Sequence, residues 1–171
     1  MDLGGDVVLE LACVGVFGLE LTYKSLDLVE LGGLLRGGAT LLIRRSRGFE
    51  DRDLGAHVRA MRDQVLRWTT IPTCVGLGPT KTLAKLGNAA AKKNPLFDSV
   101  ADLRDEAVRT WVLDRFAVGD VWGVGGATAA KLAALGIHTA GQLRDIPMKQ
   151  ARAMGTVVLE RLVAELRGVP S

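Results

Sequence analysis

The chain is poor in cysteine, histidine and aromatic residues, and each shortage removes a class of protein. Two cysteines, Cys13 and Cys74, and two histidines, His57 and His138, are scattered through 171 residues. They form neither a C-x-x-C pair nor a His/Cys cluster, which excludes a zinc finger and a disulfide scaffold and suits a reducing cytoplasm. Aromatic residues make up 5% of the chain, leaving little material for a large aromatic cage or stacking platform. Long apolar runs are missing too. The most apolar stretch, residues 7–21, is interrupted by Glu10 and Glu20 and falls short of the roughly 20 residues a spanning helix needs. Asp2 and Asp6 stand where a secretory signal would carry positive charge. A soluble, cytoplasmic protein with no membrane contact is expected. The length allows one ordinary domain or two small lobes, with a core that needs no staples. Net charge is +3, from 22 Lys and Arg against 19 Asp and Glu, so the chain is mildly basic without a polybasic tail.

Composition changes near Gly48. Before it, Leu and Gly dominate, with glycine pairs at Gly4-Gly5, Gly32-Gly33 and Gly37-Gly38. Residues 7–11 and 39–43 fit short strands between Gly-rich turns, but no function can be assigned to residues 1–48 from their pattern. After Gly48 the local signals agree with one another. Asp53 caps an expected helix over 54–68, with Val58, Met61, Val65, Leu66 and Trp68 on its apolar face. A strand follows over 71–77, with Pro72 at its start where a missing N–H is tolerated. Gly78-Pro79 turns the chain into a helix over 80–93, which Asn94-Pro95 stops. This helix–strand–helix unit is typical of one layer of an α/β sandwich. Short helices are expected at 103–112, 127–134, 139–144, 149–154 and 157–167, building a small helical lobe.

Two stretches could carry chemistry. Gly76-Leu77-Gly78-Pro79-Thr80-Lys81-Thr82 looks like a phosphate loop but has Thr80 where glycine must precede the lysine, and Pro79 removes a donor. That reading fails. Lys81, Lys85, Lys92 and Lys93 nevertheless form a one-signed stripe with no acid from Ile71 to Phe97. Such a stripe attracts phosphate, although a solvated helix face accounts for the spacing equally well. The second stretch runs from Val118 to Ile137. Gly123, Val124, Gly125 and Gly126 join a short helix to a new one that begins with small residues, and Leu135-Gly136-Ile137 closes it with a glycine cap. Bare backbone at the glycines and the unpaired N–H groups of the helix start make a nest for one phosphate, with Thr128 and Lys131 nearby. This is the signature of a helix-hairpin-helix, which grips nucleic-acid backbone without reading bases; a plain tight turn is the alternative. Trp68, Trp111 and Trp122 are expected as core anchors, His57 and His138 as surface or capping residues, and Cys74 as a small buried hydrophobe. The charge run Glu50-Asp51-Arg52-Asp53 fits a loop leading into a capped helix better than a metal site.

Three stretches in order, residues 71–93, 118–143 and 157–170, resemble the Y-family translesion DNA polymerases, most closely the UmuC-type branch. The resemblance covers roughly residues 48–171. It implies an α/β plus α fold: a partial polymerase palm at residues 49–100, then a helical thumb at 101–171 with a DNA-backbone-binding hairpin. It also implies error-prone DNA synthesis at damaged sites, a DNA partner contacted without sequence preference, and Mg²⁺ as the family's cofactor. Lys92 resembles the lysine that contacts the incoming triphosphate. Gly123, Val124, Gly125, Gly126, Thr128 and Lys131, with Lys81 and Lys85 of the stripe, are the expected DNA-binding residues.

The departures shape the expectation. Family members supply an early metal-binding Asp and a later Ser-x-Asp-Glu strand. Two Mg²⁺ ions held there activate the primer hydroxyl and neutralise the leaving pyrophosphate. Ile43-Arg44-Arg45-Ser46-Arg47 stands in place of that strand, and Ser25-Leu26-Asp27-Leu28 is an imperfect lookalike. No catalytic or metal-ligating residue is therefore assigned, and no tightly held Mg²⁺ is expected. The fingers, little finger and clamp-binding tail are likewise unmatched, and residues 1–48 suggest a rearranged or frameshifted start. The expected function is DNA contact without autonomous polymerisation. The rivals are an active polymerase whose metal site is rebuilt from Asp6 with Asp27 or Glu30, a non-enzymatic competitor for DNA or its partners, and a remnant without a selected role.

Overall fold

The structure, a computed structural model, describes residues 8–13, 29–30, 39–44, 54–70 and 72–170. Asp6, Ser25, Asp27, Ser46, Asp53 and Ile71, which carried expectations above, lie outside the described residues. Strands β1 (Val8–Cys13), β2 (Val29–Glu30), β3 (Ala39–Arg44), β4 (Thr73–Gly78) and β5 (Val100–Asp102) form one sheet in the order β2-β3-β1-β4-β5. β1 pairs antiparallel with both β3 and β4, so Glu10 stands opposite Leu42 on one side and Gly76 on the other. The strands expected near residues 7–11 and 39–43 are therefore present, shifted by a residue or two, with β1 beside β4 and β3 one strand further out.

Helix α1 (Leu54–Thr69) leads into β4; its Leu54, Val58 and Val65 are buried. Arg62 of α1 donates through Nε to the Thr73 carbonyl at 3.1 Å, pinning the helix to the strand. β4 then connects through α2 (Lys81–Lys93) and a short 3-10 turn at Pro95–Phe97 to β5, which runs parallel to it. Parallel neighbours require such a crossover. α2 begins at Thr80, whose hydroxyl accepts the Leu83 N–H at 3.3 Å. It ends at Asn94, whose side chain accepts the Leu96 N–H at 3.0 Å and starts the next turn. The helix approaches β4 backbone to backbone. A Cβ on Gly76 would lie 2.0 Å from the Ala84 carbonyl oxygen, and one on Gly78 2.7 Å from the Ala84 nitrogen. Asn88 uses this proximity, donating to the Cys74 carbonyl at 2.7 Å.

The rest is helical: α3 (Glu106–Arg115), a 3-10 turn at Val118–Asp120, α4 (Gly126–Ala134), α5 (Ala140–Asp145) and α6 (Met148–Leu166). Asp105 caps α3, and Thr139 with Gln142 forms a reciprocal capping box on α5. Leu83, Leu86 and Ala90 of α2 share one hydrophobic cluster with Leu113, Leu132, Leu143, Val163 and Leu166. Each fully buried Leu contributes about 1.5–3 kcal/mol. Palm-like and helical parts are thus joined by a common core.

Some expectations are corrected. The two helices expected at 149–154 and 157–167 are a single helix, α6. Gly155 lies between the two expected helices, and a glycine costs only about 1 kcal/mol inside a helix. Burial of Ala151, Leu159, Leu162, Val163 and Leu166 outweighs that cost. The tryptophans are not core anchors: Trp68, Trp111 and Trp122 are 64%, 38% and 54% exposed, because aliphatic side chains fill the interior. His57 and Cys74 are half-buried, and the Cys74 thiol is free. His138 is exposed, as expected of a surface residue, and its backbone N–H donates to Gln142 Oε1 at 2.7 Å, while Thr139 is the cap of α5.

Candidate nucleic-acid interface

The hairpin is built from a chain of short turns. After the turn at Val118–Asp120, the Val121 N–H donates to the Val118 carbonyl at 3.2 Å, and the Val124 N–H to the Val121 carbonyl at 3.0 Å. Gly123 sits between them at φ +95°, a left-handed conformation that favours glycine over any residue with a Cβ. Val121 and Val124 are buried and anchor the turn from below. Gly125 is the N-cap of α4 with extended backbone, and no side chain caps the helix there. Its carbonyl accepts the Ala129 N–H at 2.8 Å. The N–H groups of Gly126, Ala127 and Thr128, in the first turn, have no acceptor within the helix. No atom would lie within 4 Å of a Cβ on Gly125 or Gly126, so this surface is open to an approaching group. Donors at a helix start, together with its dipole, favour an anion.

The expected residues divide by role. Gly125, Gly126 and Thr128 frame the open nest, and Thr128 is half-buried. Lys131 is exposed one turn further along α4. The Val124 N–H is engaged by the Val121 carbonyl, and its side chain is buried. Gly136 closes α4 at φ +79°, and the Ile137 N–H reaches back to the Leu132 carbonyl at 2.9 Å.

The lysine stripe meets this hairpin through a contact that sequence reasoning missed. Lys85 Nζ lies 4.2 Å and Lys81 Nζ 5.4 Å from the centroid of the Trp122 ring. Lys93 pairs with Asp120 at 2.7 Å and lies over the Phe116 ring. Lys92 is exposed near the end of α2. No pattern in the sequence announced these pairings, because they join residues far apart in the chain. The start of α2, where a phosphate loop was rejected, is also occupied. Glu165 of α6 accepts the Thr82 N–H at 3.1 Å and the Thr82 hydroxyl in a very short contact. The Thr80 hydroxyl donates to the Glu165 carbonyl at 2.9 Å. That helix N-terminus already has its anion, supplied from within the chain. Away from both sites, Arg144 donates twice to Asp145, at 2.7 and 3.0 Å, and holds its carboxyl below the usual carboxylate range.

Among the described residues no group of three or more His, Cys, Asp or Glu side chains converges. In the sheet the carboxylates are Glu10 of β1, Glu30 of β2 and Asp102 of β5, while β3 and β4 carry none.

The IMS family HHH motif matches residues 105–137, the span from the α3 cap to the end of the hairpin. Protein UmuC of Salmonella typhimurium is 46% identical over 120 residues, covering 70% of this chain and 28% of that protein. Protein MucB of Escherichia coli is 44% identical over 115 residues, covering 67% of this chain and 27% of that protein. The chain carries a UmuC-type Y-family polymerase segment. Its fold agrees with that of DinB from Sulfolobus solfataricus, at a TM-score of 0.62 and 19% identity, covering 84% of this chain and 40% of that one. The UmuC-type segment therefore spans little more than a quarter of the length of the curated relatives it matches.

Proposed function

We propose that this chain holds DNA by its backbone, without reading sequence, as the palm–thumb portion of an error-prone translesion polymerase working in the cytoplasm. Residues 49–100 act as partial palm and residues 101–171 as thumb. The observation that carries the reading is the open nest at Gly125–Thr128, within the span that matches the family's hairpin motif. Lys131 supports the grip, Lys81 and Lys85 add positive potential beside it, and Lys92 is placed to meet a nucleotide triphosphate when the remaining polymerase parts are supplied. On its own the chain binds without transferring nucleotides: Ile43-Arg44-Arg45-Ser46-Arg47 stands where the family's metal-binding Ser-x-Asp-Glu strand is expected. Affinity falls in the non-specific range, about 10⁻⁴ to 10⁻⁶ M, and declines with salt as counterions return to the phosphates.

The test is duplex binding and primer extension on one sample, with and without Mg²⁺, across a salt series. Salt-sensitive binding that Gly125→Glu weakens, with no extension, is the expected result; a Cβ at Gly125 meets nothing, so the variant folds. Binding indifferent to that substitution overturns the reading. A second reading, an active polymerase with a rebuilt metal site, draws on one observation. Glu30 on β2 and Glu10 on β1 both stand opposite Leu42 of β3, in one row across the sheet. Mg²⁺-dependent extension abolished by Glu10→Gln would favour it.

A further inference from the structure

We propose that Trp122 is a base-stacking platform beside the phosphate nest, so that the hairpin prefers a DNA end or junction with an unpaired base to uninterrupted duplex. This rests on the reading of the hairpin as a DNA-backbone site. Trp122 lies between the buried Val121 and the Gly123 turn, yet its own side chain is 54% exposed. The ring is held by charge instead of by the core, with Lys85 and Lys81 set against it at 4.2 and 5.4 Å. A cation over an indole is attracted by the ring quadrupole, which fixes the ring in place while leaving apolar area in water.

Three properties point to a nucleotide. A nucleobase offers a flat π-surface to a fixed indole, and such stacking tolerates any base. The ammonium groups of Lys81 and Lys85 lie over the ring, where they meet the phosphates flanking a base stacked on its other face. The acid nearest in sequence, Asp120, is engaged by Lys93 at 2.7 Å and so does not cancel this charge. An aromatic peptide would satisfy only the first property. The spacing also fits. Trp122 and Gly125 are three positions apart, so their Cα atoms are separated by at most about 11 Å. One strand can therefore set a phosphate in the nest and a neighbouring base on the ring. Bases inside a continuous duplex are stacked on each other and cannot offer a face; an unpaired base can.

Trp68→Phe with Trp111→Phe leaves Trp122 as the sole tryptophan of the full chain. Trp68 is largely at the surface, Trp111 is 38% exposed, and Phe preserves the edge contact of Trp111 with Phe97. Fluorescence is titrated with blunt duplex and with the same duplex carrying a short single-stranded overhang. The expected result is quenching by the overhang substrate, bound at least about fivefold more tightly than blunt duplex, the lower end of one base–aromatic stack. In the otherwise wild-type chain, read by the anisotropy of end-labelled DNA, Trp122→Ala brings the overhang substrate down to the blunt-duplex affinity, Trp122→Phe restores most of the difference, and Gly125→Glu weakens both substrates. Equal affinities without quenching, or a preference that survives Trp122→Ala, overturn the stacking proposal and leave the backbone reading standing. Failure of both DNAs to bind overturns both readings.

Discussion

Glu165 fastens the last helix to the first turn of α2, and removing it should be felt across the whole chain. Its carboxylate accepts the N–H and the hydroxyl of Thr82, a residue 1% exposed. It also stands at a helix N-terminus, where a negative charge is favoured. Glu165→Ala leaves both Thr82 donors in a water-poor site, and an unsatisfied buried polar group costs about 1–3 kcal/mol. The hydroxyl can turn elsewhere and the N–H cannot, which gives a total near 3 kcal/mol. For a chain of this size that lowers Tm by roughly 6–12 °C. Glu165→Gln keeps an acceptor and loses the charge, and neutral hydrogen bonds are about half as strong as charge-assisted ones. Its loss should be near half that of alanine. Arg152→Ala, which breaks the surface pair with Glu160 at 3.3 Å, serves as control and should change stability by less than about 0.5 kcal/mol. Thermal melts of the three variants decide the matter. An alanine variant within about 1 °C of wild type, or alanine and glutamine variants that melt alike, would refute the reasoning.

The glycines that face α2 and those that frame the nest should respond in opposite ways. Gly76→Ala places a Cβ against the Ala84 carbonyl and the Asn88 nitrogen, where only backbone can give way, and should cost about 3 kcal/mol or more. Gly126→Ala meets open space at the start of α4 and should stabilise by about 0.5–1 kcal/mol in urea melts. The Arg144–Asp145 pair predicts an acid response. The carboxyl of Asp145 titrates lower in the folded chain than in the unfolded one, chiefly through its hydrogen bond to Arg144. Its contribution is therefore full above about pH 4 and disappears as pH falls through the folded value. Asp145→Asn should flatten that part of the stability profile, with less than about 1 kcal/mol lost at neutral pH because the carboxylate is mostly exposed. An unchanged acid slope would contradict this.

Local chemistry made much of this fold legible. Thr80, Asn94, Gly136 and the Thr139–Gln142 box each act on neighbours within a turn, so the limits of α2, α4 and α5 could be read to within a residue or two. The hairpin was readable for the same reason: its glycines and the α4 start lie in one short run. The contacts that complete the site were not. Thr82 and Glu165 are 83 positions apart, and the Trp122 clamp joins α2 to a turn that only the fold brings near. A tryptophan among aliphatic neighbours reads as core, and nothing in its own segment signals that lysines from another helix hold it at the surface. The continuity of α6 through Gly155 was hidden likewise, because the side chains that outweigh the glycine draw their energy from tertiary burial.

The side-chain-free contact between β4 and α2 has an angular consequence. Gly87 faces the strand so closely that its Cα lies within reach of Gly76, and a Cβ there would touch the Gly76 Cα at 3.2 Å. A helix advances about 100° per residue, so with Gly87 turned to the sheet, Lys85 points about 160° away, Lys92 about 140° and Lys81 about 120°. The three ammonium stems share one narrow sector on the far side of the helix. Rolling α2 by even one position would drive a side chain into the strand's main chain, so the helix cannot swivel. Three residues with no side chain thereby aim the charges of three residues with long ones.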